Sequence, residues 1–327
     1  MREPYFWRVT DKRSRAAAPM SKLLLTPASV IYSWAGKRRI DAATPEDIGL
    51  PIVCIGNLTL GGAGKTPVTA AVRLRLNAKG KRTASLSRGY RGAEEGPLRV
   101  DPTSHTAADV GDEPMMLAAT GESWISKDRL EGAKAMKADG VEAIVMDDGH
   151  QNPALKKALS IVVIDAAEPF GNGHVFPKGP LREPVPRGLS RADAVVLMGE
   201  GATPPQLKDF ANPVLRARLA PLAKLVPGRY VAFAGIGRPE RFFDSLQKQE
   251  GVELAEAVPY PDHHVFQRSD IDYLMKLVTE RGARLITTDK DHVRLPQAMK
   301  TTVLRASVEA RFEDEAAFAA LLARVTP

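Results

Sequence analysis

The sequence predicts an α/β protein with a mainly parallel sheet domain, a second, smaller α/β domain and a basic amphipathic N-terminal helix. Three observations carry that reading. A glycine-rich turn, "PIVCIGNLTLGGAGKTPVTAAV" at 51–72, lies between an apolar run and a helical pattern; short β-rich runs then alternate with helical patterns; and the basic charge is concentrated in the first forty residues. Strands alternating with helices form parallel sheets covered on both faces, and such sheets gather ligands at the carboxyl ends of their strands. A chain of 327 residues can bury a large core and favours two domains over one.

The N-terminal arm, residues 1–45, comes first. Its first forty residues hold nine Lys and Arg (Arg2, Arg8, Lys12, Arg13, Arg15, Lys22, Lys37, Arg38, Arg39) against Glu3 and Asp11, which accounts for the whole formal charge of +7. The remainder is balanced, which argues against a protein that coats nucleic acid. Residues 23–36 carry no charge, and these 14 residues are too few for a membrane span of about 20. Thr26 and Pro27 predict an N-cap and first turn, and the helix starting there presents Val30, Ile31, Tyr32 and Trp34. Two readings fit this pattern: a membrane-interface helix and a helix docked on the protein's own core. The interrupted apolar stretch and the lack of a cleavage site argue against a secretory signal.

The core domain is expected at 46–200. Residues 52–55 read as a buried strand and 66–78 as a helix, so the glycines form a strand-to-helix turn. Backbone N–H groups across Thr59, Leu60, Gly61, Gly62, Ala63, Gly64, Lys65 and Thr66 can converge on phosphate there, helped by the positive end of the helix. Lys65 would reach the terminal phosphates of a nucleoside triphosphate, and the Thr66 hydroxyl would bind magnesium. Thr59 stands where the usual pattern has glycine, with Gly61 and Gly62 supplying flexibility nearby. Strand runs follow at "RTASLS", "EAIVMDD", "SIVVID" and "DAVVLMG", with helical patterns at "EPMMLAAT" and "DRLEGAKAMKA". The second of these strands ends in Asp147 and Asp148, placed as a strand end beside a phosphate loop would place magnesium ligands.

Asp112 and Glu113 precede Pro114 at a helix start, where they serve either chemistry or ordinary helix stabilisation. Arg88, Tyr90 and Arg91 lie in a loop after a strand, suited to anionic oxygens or to solvent. "FPKGPLREP" reads as a shaped loop carrying Lys178, Arg182 and Glu183. Proline density rises at 201–228, read as a connection, and 229–327 reads as the smaller domain, with strands at "RYVAFAGIG", "VELAEAV", "ARLITTD" and "TVLRASV" and a final helix ending near Arg324. Within it Asp262, His263 and His264 stand together, and either histidine can move a proton if it faces the phosphate loop. The single cysteine, Cys54, excludes a disulfide framework and a cysteine zinc site.

Taken together, "GNLTLGGAGKTP", "SRGYRG", "VGDEPMML", "MDDGHQ", "FPKGPLREP", "PDHHVF" and "TTDKD" resemble the tetraacyldisaccharide 4′-kinase (lipid A 4′-kinase) family, from the arm to about Asp291. The resemblance implies a P-loop kinase-like core, ATP as co-substrate with Mg2+, and an acylated glucosamine disaccharide 1-phosphate, the lipid A precursor, as substrate. That substrate stays in the bilayer, which implies a membrane surface as partner, peripheral attachment at the cytoplasmic face of the inner membrane, and no obligatory protein partner. By the same likeness Asp112 is the catalytic aspartate and His263 works with it, His264 remaining an alternative. Lys65 acts on the phosphates, and Glu113, Arg88, Arg91 and Arg129 are candidates for the sugar head and its 1-phosphate. The smaller domain is then expected to close over the site. Rival readings are weaker: partitioning and metal-insertion switch ATPases carry lysine where this chain has Leu60, a guanine-reading Asn-Lys-x-Asp element is missing, and a membrane-bound nucleotide sensor would have no use for Asp112.

Overall fold

A computed structural model of the chain describes residues 4–9 and 14–325. Of the charges counted in the arm, Arg2, Glu3, Asp11, Lys12 and Arg13 lie outside them. The strands run β1 (Ile52–Gly56), β2 (Thr83–Ser87), β3 (Leu98–Arg99), β4 (Ser123–Ile125), β5 (Ala143–Asp147), β6 (Leu159–Asp165), β7 (Ala194–Met198), β8 (Val214–Pro221), β9 (Gly228–Ala234), β10 (Val252–Pro259), β11 (Arg284–Thr288), β12 (Leu304–Ala306) and β13 (Val308–Phe312). They form a nine-stranded sheet in the order β13-β8-β7-β6-β1-β5-β2-β4-β3 and a four-stranded sheet in the order β10-β9-β11-β12. The small sheet is parallel throughout. In the large one only the two edges, β13 on β8 and β3 on β4, pair antiparallel.

Strand alternation divides the core of the large sheet. Val53 and Ile55 pack with Val68, Val72 and Leu76 of the Lys65–Ala78 helix on one face. Ile52 and Cys54 meet Ala133 and Met136 of the Arg129–Ala138 helix on the other. The small sheet is covered likewise, by Leu274 and Leu277 of the Arg268–Arg281 helix on one side and by Leu246 of the Pro239–Gln247 helix on the other.

Two boundaries differ from the sequence reading. The segment 201–228 is not merely a connection, because it contributes β8 to the large sheet. Nor does the smaller domain own everything after 229. "TVLRASV", one run in sequence, is split: β12 closes the small sheet, and one residue later β13 begins on the edge of the large one. Ser307 makes the switch, its hydroxyl donating to Asp289 Oδ1 at 2.7 Å and its carbonyl accepting from Leu222 N at 2.9 Å. The Glu315–Ala323 helix then buries Phe318, Leu321 and Leu322 against the Lys65–Ala78 helix side of the large sheet.

The N-terminal helix also starts earlier than Thr26 and Pro27 suggested. It spans Pro19–Asp41 with Pro27 inside it, and the Thr26 hydroxyl donates back to the Lys22 carbonyl at 2.8 Å. Proline fixes the same φ in a first turn as within a helix, so the sequence signal does not separate the two. Ser29 is this helix's one buried residue, its Oγ on the Val175 carbonyl at 2.7 Å, and Tyr32 meets Phe176 edge-on at 5.2 Å. Met20, Leu23, Leu24, Val30, Ile31 and Trp34 are exposed. The helix is therefore docked along one narrow line and apolar over much of the rest. No helix among the described residues is long and apolar enough to cross a membrane.

The two domains meet through apolar and charged contacts. Val293, from beyond β11, packs with Val110, Met115 and Ile125. Arg238 reaches Asp165 at 2.9 Å and Glu168 at 2.6 Å.

Because Phe318 is fully buried and stacked on Phe312 at 3.7 Å, Phe318→Ala should destabilise the large-sheet domain by about 3–5 kcal/mol. Denaturant unfolding followed by hydrogen exchange reads this, with amides of β1 and β8 losing protection before those of β9 and β11.

Candidate active site

β1 ends at Gly56 in the centre of the large sheet and feeds the glycine turn, which enters the Lys65–Ala78 helix through Gly64. Gly64 has φ 82°, a left-handed conformation that a side chain resists, so glycine is needed there. A second segment braces the turn. Leu60 N donates to the Pro180 carbonyl at 2.7 Å, Arg182 N to the Leu58 carbonyl at 2.8 Å, and Arg182 Nε to the Thr59 carbonyl at 3.1 Å. "FPKGPLREP" is thus a wall of the loop. Gly61, Gly62, Ala63 and Gly64 donate no backbone hydrogen bond among the described residues. Their N–H groups stand at a helix N-terminus, the arrangement that binds phosphate.

β5 pairs beside β1 with Ile55 opposite Asp147, which sets the two aspartates next to the turn. Asp147 is buried and accepts from Thr69 Oγ1 at 2.9 Å through Oδ1. Asp148, at φ 51°, faces Lys65 Nζ at 3.5 Å and Arg182 Nη1 at 3.1 Å. Burial, with Glu113 and Asp148 adding to it, pushes the Asp147 carboxyl up to about 7 despite the opposing pull of Lys65. For Asp148 burial also works against the charge, but Lys65 and Arg182 outweigh it and hold its carboxyl below the usual range. Asp147 Oδ2 is buried with no hydrogen-bond donor, and Asp148 Oδ1, also buried, has only Lys65 Nζ at 3.5 Å. One unsatisfied carboxylate oxygen and a second held only by the lysine, beside a threonine at a phosphate loop, fit magnesium, which takes oxygen ligands. No group of three or more His, Cys, Asp or Glu among the described residues is set to hold a metal by itself.

Asp112 opens the Asp112–Ala118 helix, after Gly111 at φ 93°. A Cβ on Gly111 would lie 2.6 Å from the Tyr90 carbonyl, so the arginine-bearing loop after β2 is packed against the turn that delivers Asp112. From the smaller domain, His263 Nδ1 lies 3.0 Å from Asp112 Oδ2 and Arg294 Nη2 lies 2.5 Å from the same oxygen. Lys290 Nζ is 3.2 Å from His263 Nε2. Burial opposes the charge on Asp112, yet hydrogen bonds from His263 and Arg294, with Lys290 beyond them, hold its carboxyl well below the usual range. His264 points elsewhere, bonded to Asp270 at 2.8 Å and stacked on Tyr260. Of the two histidines, only His263 meets Asp112.

Arg88 and Arg91 are exposed on the loop after β2, Arg91 at φ 66° with its guanidinium over the Tyr90 ring. Glu113 is half-buried next to Asp112 and near enough to Asp147 to raise its carboxyl. Arg129 is buried rather than on the rim, with Nη1 on the Ser126 carbonyl at 2.5 Å. Burial lowers it to about 10, against the stabilising charges of Asp148 and Asp147. Sequence reasoning gave Lys290, inside the quoted "TTDKD", no role and did not reach Arg294. The available signal was "TTDKDHVR", in which Asp291 and Arg294 stand one helical turn apart and pair at 3.0 Å.

Comparison with known proteins follows the same lines. Residues 21–326 match the tetraacyldisaccharide-1-P 4′-kinase family. The tetraacyldisaccharide 4′-kinase of Hyphomonas neptunium is 59% identical over 99% of this chain and 98% of its own length. That of Maricaulis maris is 49% identical over 98% of this chain and 96% of its own. Among solved structures, LpxK from Aquifex aeolicus in complex with ATP superposes with a TM-score of 0.74 at 26% identity, covering 94% of this chain and 99% of that one. The fold, the phosphate loop and these identities along nearly the whole sequence show that the chain belongs to the tetraacyldisaccharide 4′-kinase family.

Proposed function

We propose that this chain transfers the γ-phosphoryl group of ATP to the 4′-hydroxyl of tetraacyldisaccharide 1-phosphate, forming lipid IVA in lipid A biosynthesis. The observation that carries this reading is the meeting of Asp112 with His263 across the domain boundary, in a protein whose phosphate loop lies at the carboxyl edge of the same sheet. Asp112 takes the proton of the 4′-hydroxyl and His263 supports it. Lys65 and the loop N–H groups receive the phosphates and neutralise charge that develops on the transferring group. Thr66, Asp147 and Asp148 would hold magnesium, which would supply positive charge to offset the negative charge of the phosphates. Arg88 and Arg91 are free to take anionic or hydroxyl groups of the sugar head, with Glu113 beside Asp112 and Arg129 supplying charge from below.

A substrate bearing fatty acyl chains is reached at a membrane surface. The exposed Leu23, Leu24, Ile31 and Trp34 lie among Lys22, Lys37, Arg38 and Arg39, which suits partial insertion into an anionic interface. We assign the protein to the cytoplasmic face of the inner membrane, attached through this helix, with the smaller domain opening and closing over the site as substrates enter and leave.

In mixed micelles, labelled γ-phosphate should pass from ATP to the tetraacyldisaccharide 1-phosphate, and removal of divalent cations should stop it. Asp112→Ala should lower turnover by about 100-fold or more with ATP binding nearly unchanged, whereas Lys65→Ala should weaken nucleotide binding as well. ATP hydrolysis with no labelled lipid would overturn the kinase reading. In flotation assays the protein should rise with vesicles containing phosphatidylglycerol, and a Leu24→Ser, Ile31→Ser, Trp34→Ser variant should stay at the bottom; equal flotation would remove the helix from the attachment site.

A further inference from the structure

Two cationic side chains of the smaller domain, Lys290 and Arg294, take no step in the phosphoryl transfer itself, although both touch the Asp112–His263 pair. We propose that they are positioning residues: Lys290 fixes the tautomer of His263, and Arg294 fixes the orientation of Asp112, so that Asp112 offers Oδ1 alone to the sugar hydroxyl. The proposal rests on the reading of Asp112 as the base.

The donor inventory carries the argument. A lysine ammonium has hydrogens to give and no lone pair to accept with. Opposite Lys290 Nζ at 3.2 Å, the Nε2 of a neutral His263 ring must therefore be the accepting nitrogen. The ring proton then sits on Nδ1, which lies 3.0 Å from Asp112 Oδ2, and is donated there. Arg294 is likewise donor-only, and its Nη2 reaches the same oxygen at 2.5 Å. Nη2 also lies 3.1 Å from His263 Nδ1, but the ionised carboxylate can only accept, so the Nδ1 hydrogen goes to Oδ2 and Arg294 gives its own to that oxygen at the shorter distance. With Oδ2 engaged twice, Oδ1 makes no hydrogen bond within the described protein and is left for a proton from outside.

The two cations are themselves held. Arg294 is nearly buried, with Nη1 on Asp291 Oδ1 at 3.0 Å and on the Gly235 carbonyl at 3.0 Å. Asp291 is fully buried and accepts from Thr288 Oγ1 at 2.7 Å. Lys290 is steadied by Asp262 at 3.3 Å, whose other oxygen lies 3.7 Å from His263 Nε2. A lysine and an arginine four residues apart thus come from one short stretch, and each is oriented by its own carboxylate. Around Asp112 the charged or titratable groups are His263, Lys290, Arg294, Asp262 and Asp291 from the smaller domain and Glu113 on its own helix. Cations dominate the near shell and keep the Asp112 carboxylate ionised.

The test compares Arg294→Met, Arg294→Lys, Lys290→Met and Asp112→Ala as full-length protein in the micelle assay, across pH. Arg294→Met should lower kcat by about tenfold or more with the KM for ATP little changed. Its acid limb of kcat should move up by about one pH unit, because the lost guanidinium no longer favours the carboxylate. Arg294→Lys should restore the limb in part. Lys290→Met should lower kcat without moving the KM for ATP. Wild-type kcat and pH profile in both methionine variants, with Asp112→Ala inactive, would overturn the positioning roles alone. Full activity of Asp112→Ala would overturn the base assignment and the positioning roles with it. A fall in kcat matched by a rise in the KM for ATP, with an unmoved limb in Arg294→Met and Arg294→Lys alike, would mark a merely structural role and also overturn the proposal.

Discussion

The site depends on one contact, the approach of Arg294 and His263 to Asp112 Oδ2. Asp112 belongs to the large-sheet domain and its two partners to the smaller one, so the contact exists only while the domains are together. Other features serve the same approach. Val293 seats the strand-to-helix region of the smaller domain on Val110, Met115 and Ile125, next to the turn from which Asp112 emerges. Arg238 grips Asp165 and Glu168 at a separate place, so in this closed arrangement the interface is held at more than one point.

Charge is the second constraint. Asp147, Asp148, Asp112 and Glu113 gather near the carboxyl edge of one sheet, and burial alone would neutralise such a group. The protein answers differently at each position. Asp148 and Asp112 are given cations and remain charged, whereas Asp147, fully buried and with Glu113 and Asp148 nearby, has its carboxyl raised to about 7 against the pull of Lys65 and the Thr69 hydrogen bond. The proposed base and the proposed metal ligand therefore sit in opposite electrostatic environments within one site. A divalent cation beside Asp147 would offset the burial and the neighbouring carboxylates that raise it.

The phosphate loop and the Asp147–Asp148 pair were legible because their chemistry is local. Gly64 must take a left-handed φ, Lys65 and Thr66 must open the next helix, and a buried strand must end beside them; all three constraints act within a few residues. The smaller domain's contribution was only partly legible. His263 was reached through family resemblance, and its separation from His264 needed the stacking of His264 on Tyr260 and its bond to Asp270, which no spacing displays. Lys290 and Arg294 were given no role because a lysine and an arginine in a charged stretch usually mark a solvated face. The return of β13 and the last helix to the large sheet was illegible for a different reason: β12 and β13 are separated by Ser307 alone, and a change of sheet leaves the alternation of apolar residues intact. Pro27 misled because it is tolerated inside a long helix whose Thr26 hydroxyl satisfies a carbonyl one turn back.

The central claim is that Asp112 and His263 act as one unit across the domain boundary. A double-mutant cycle on kcat, with Asp112→Ala, His263→Ala and the double variant assayed at saturating ATP, tests it most directly. The account predicts that the double variant is no slower than the more damaged single variant, because removing either partner already disables the pair. Losses that multiply would show that the two side chains act independently, and would contradict it.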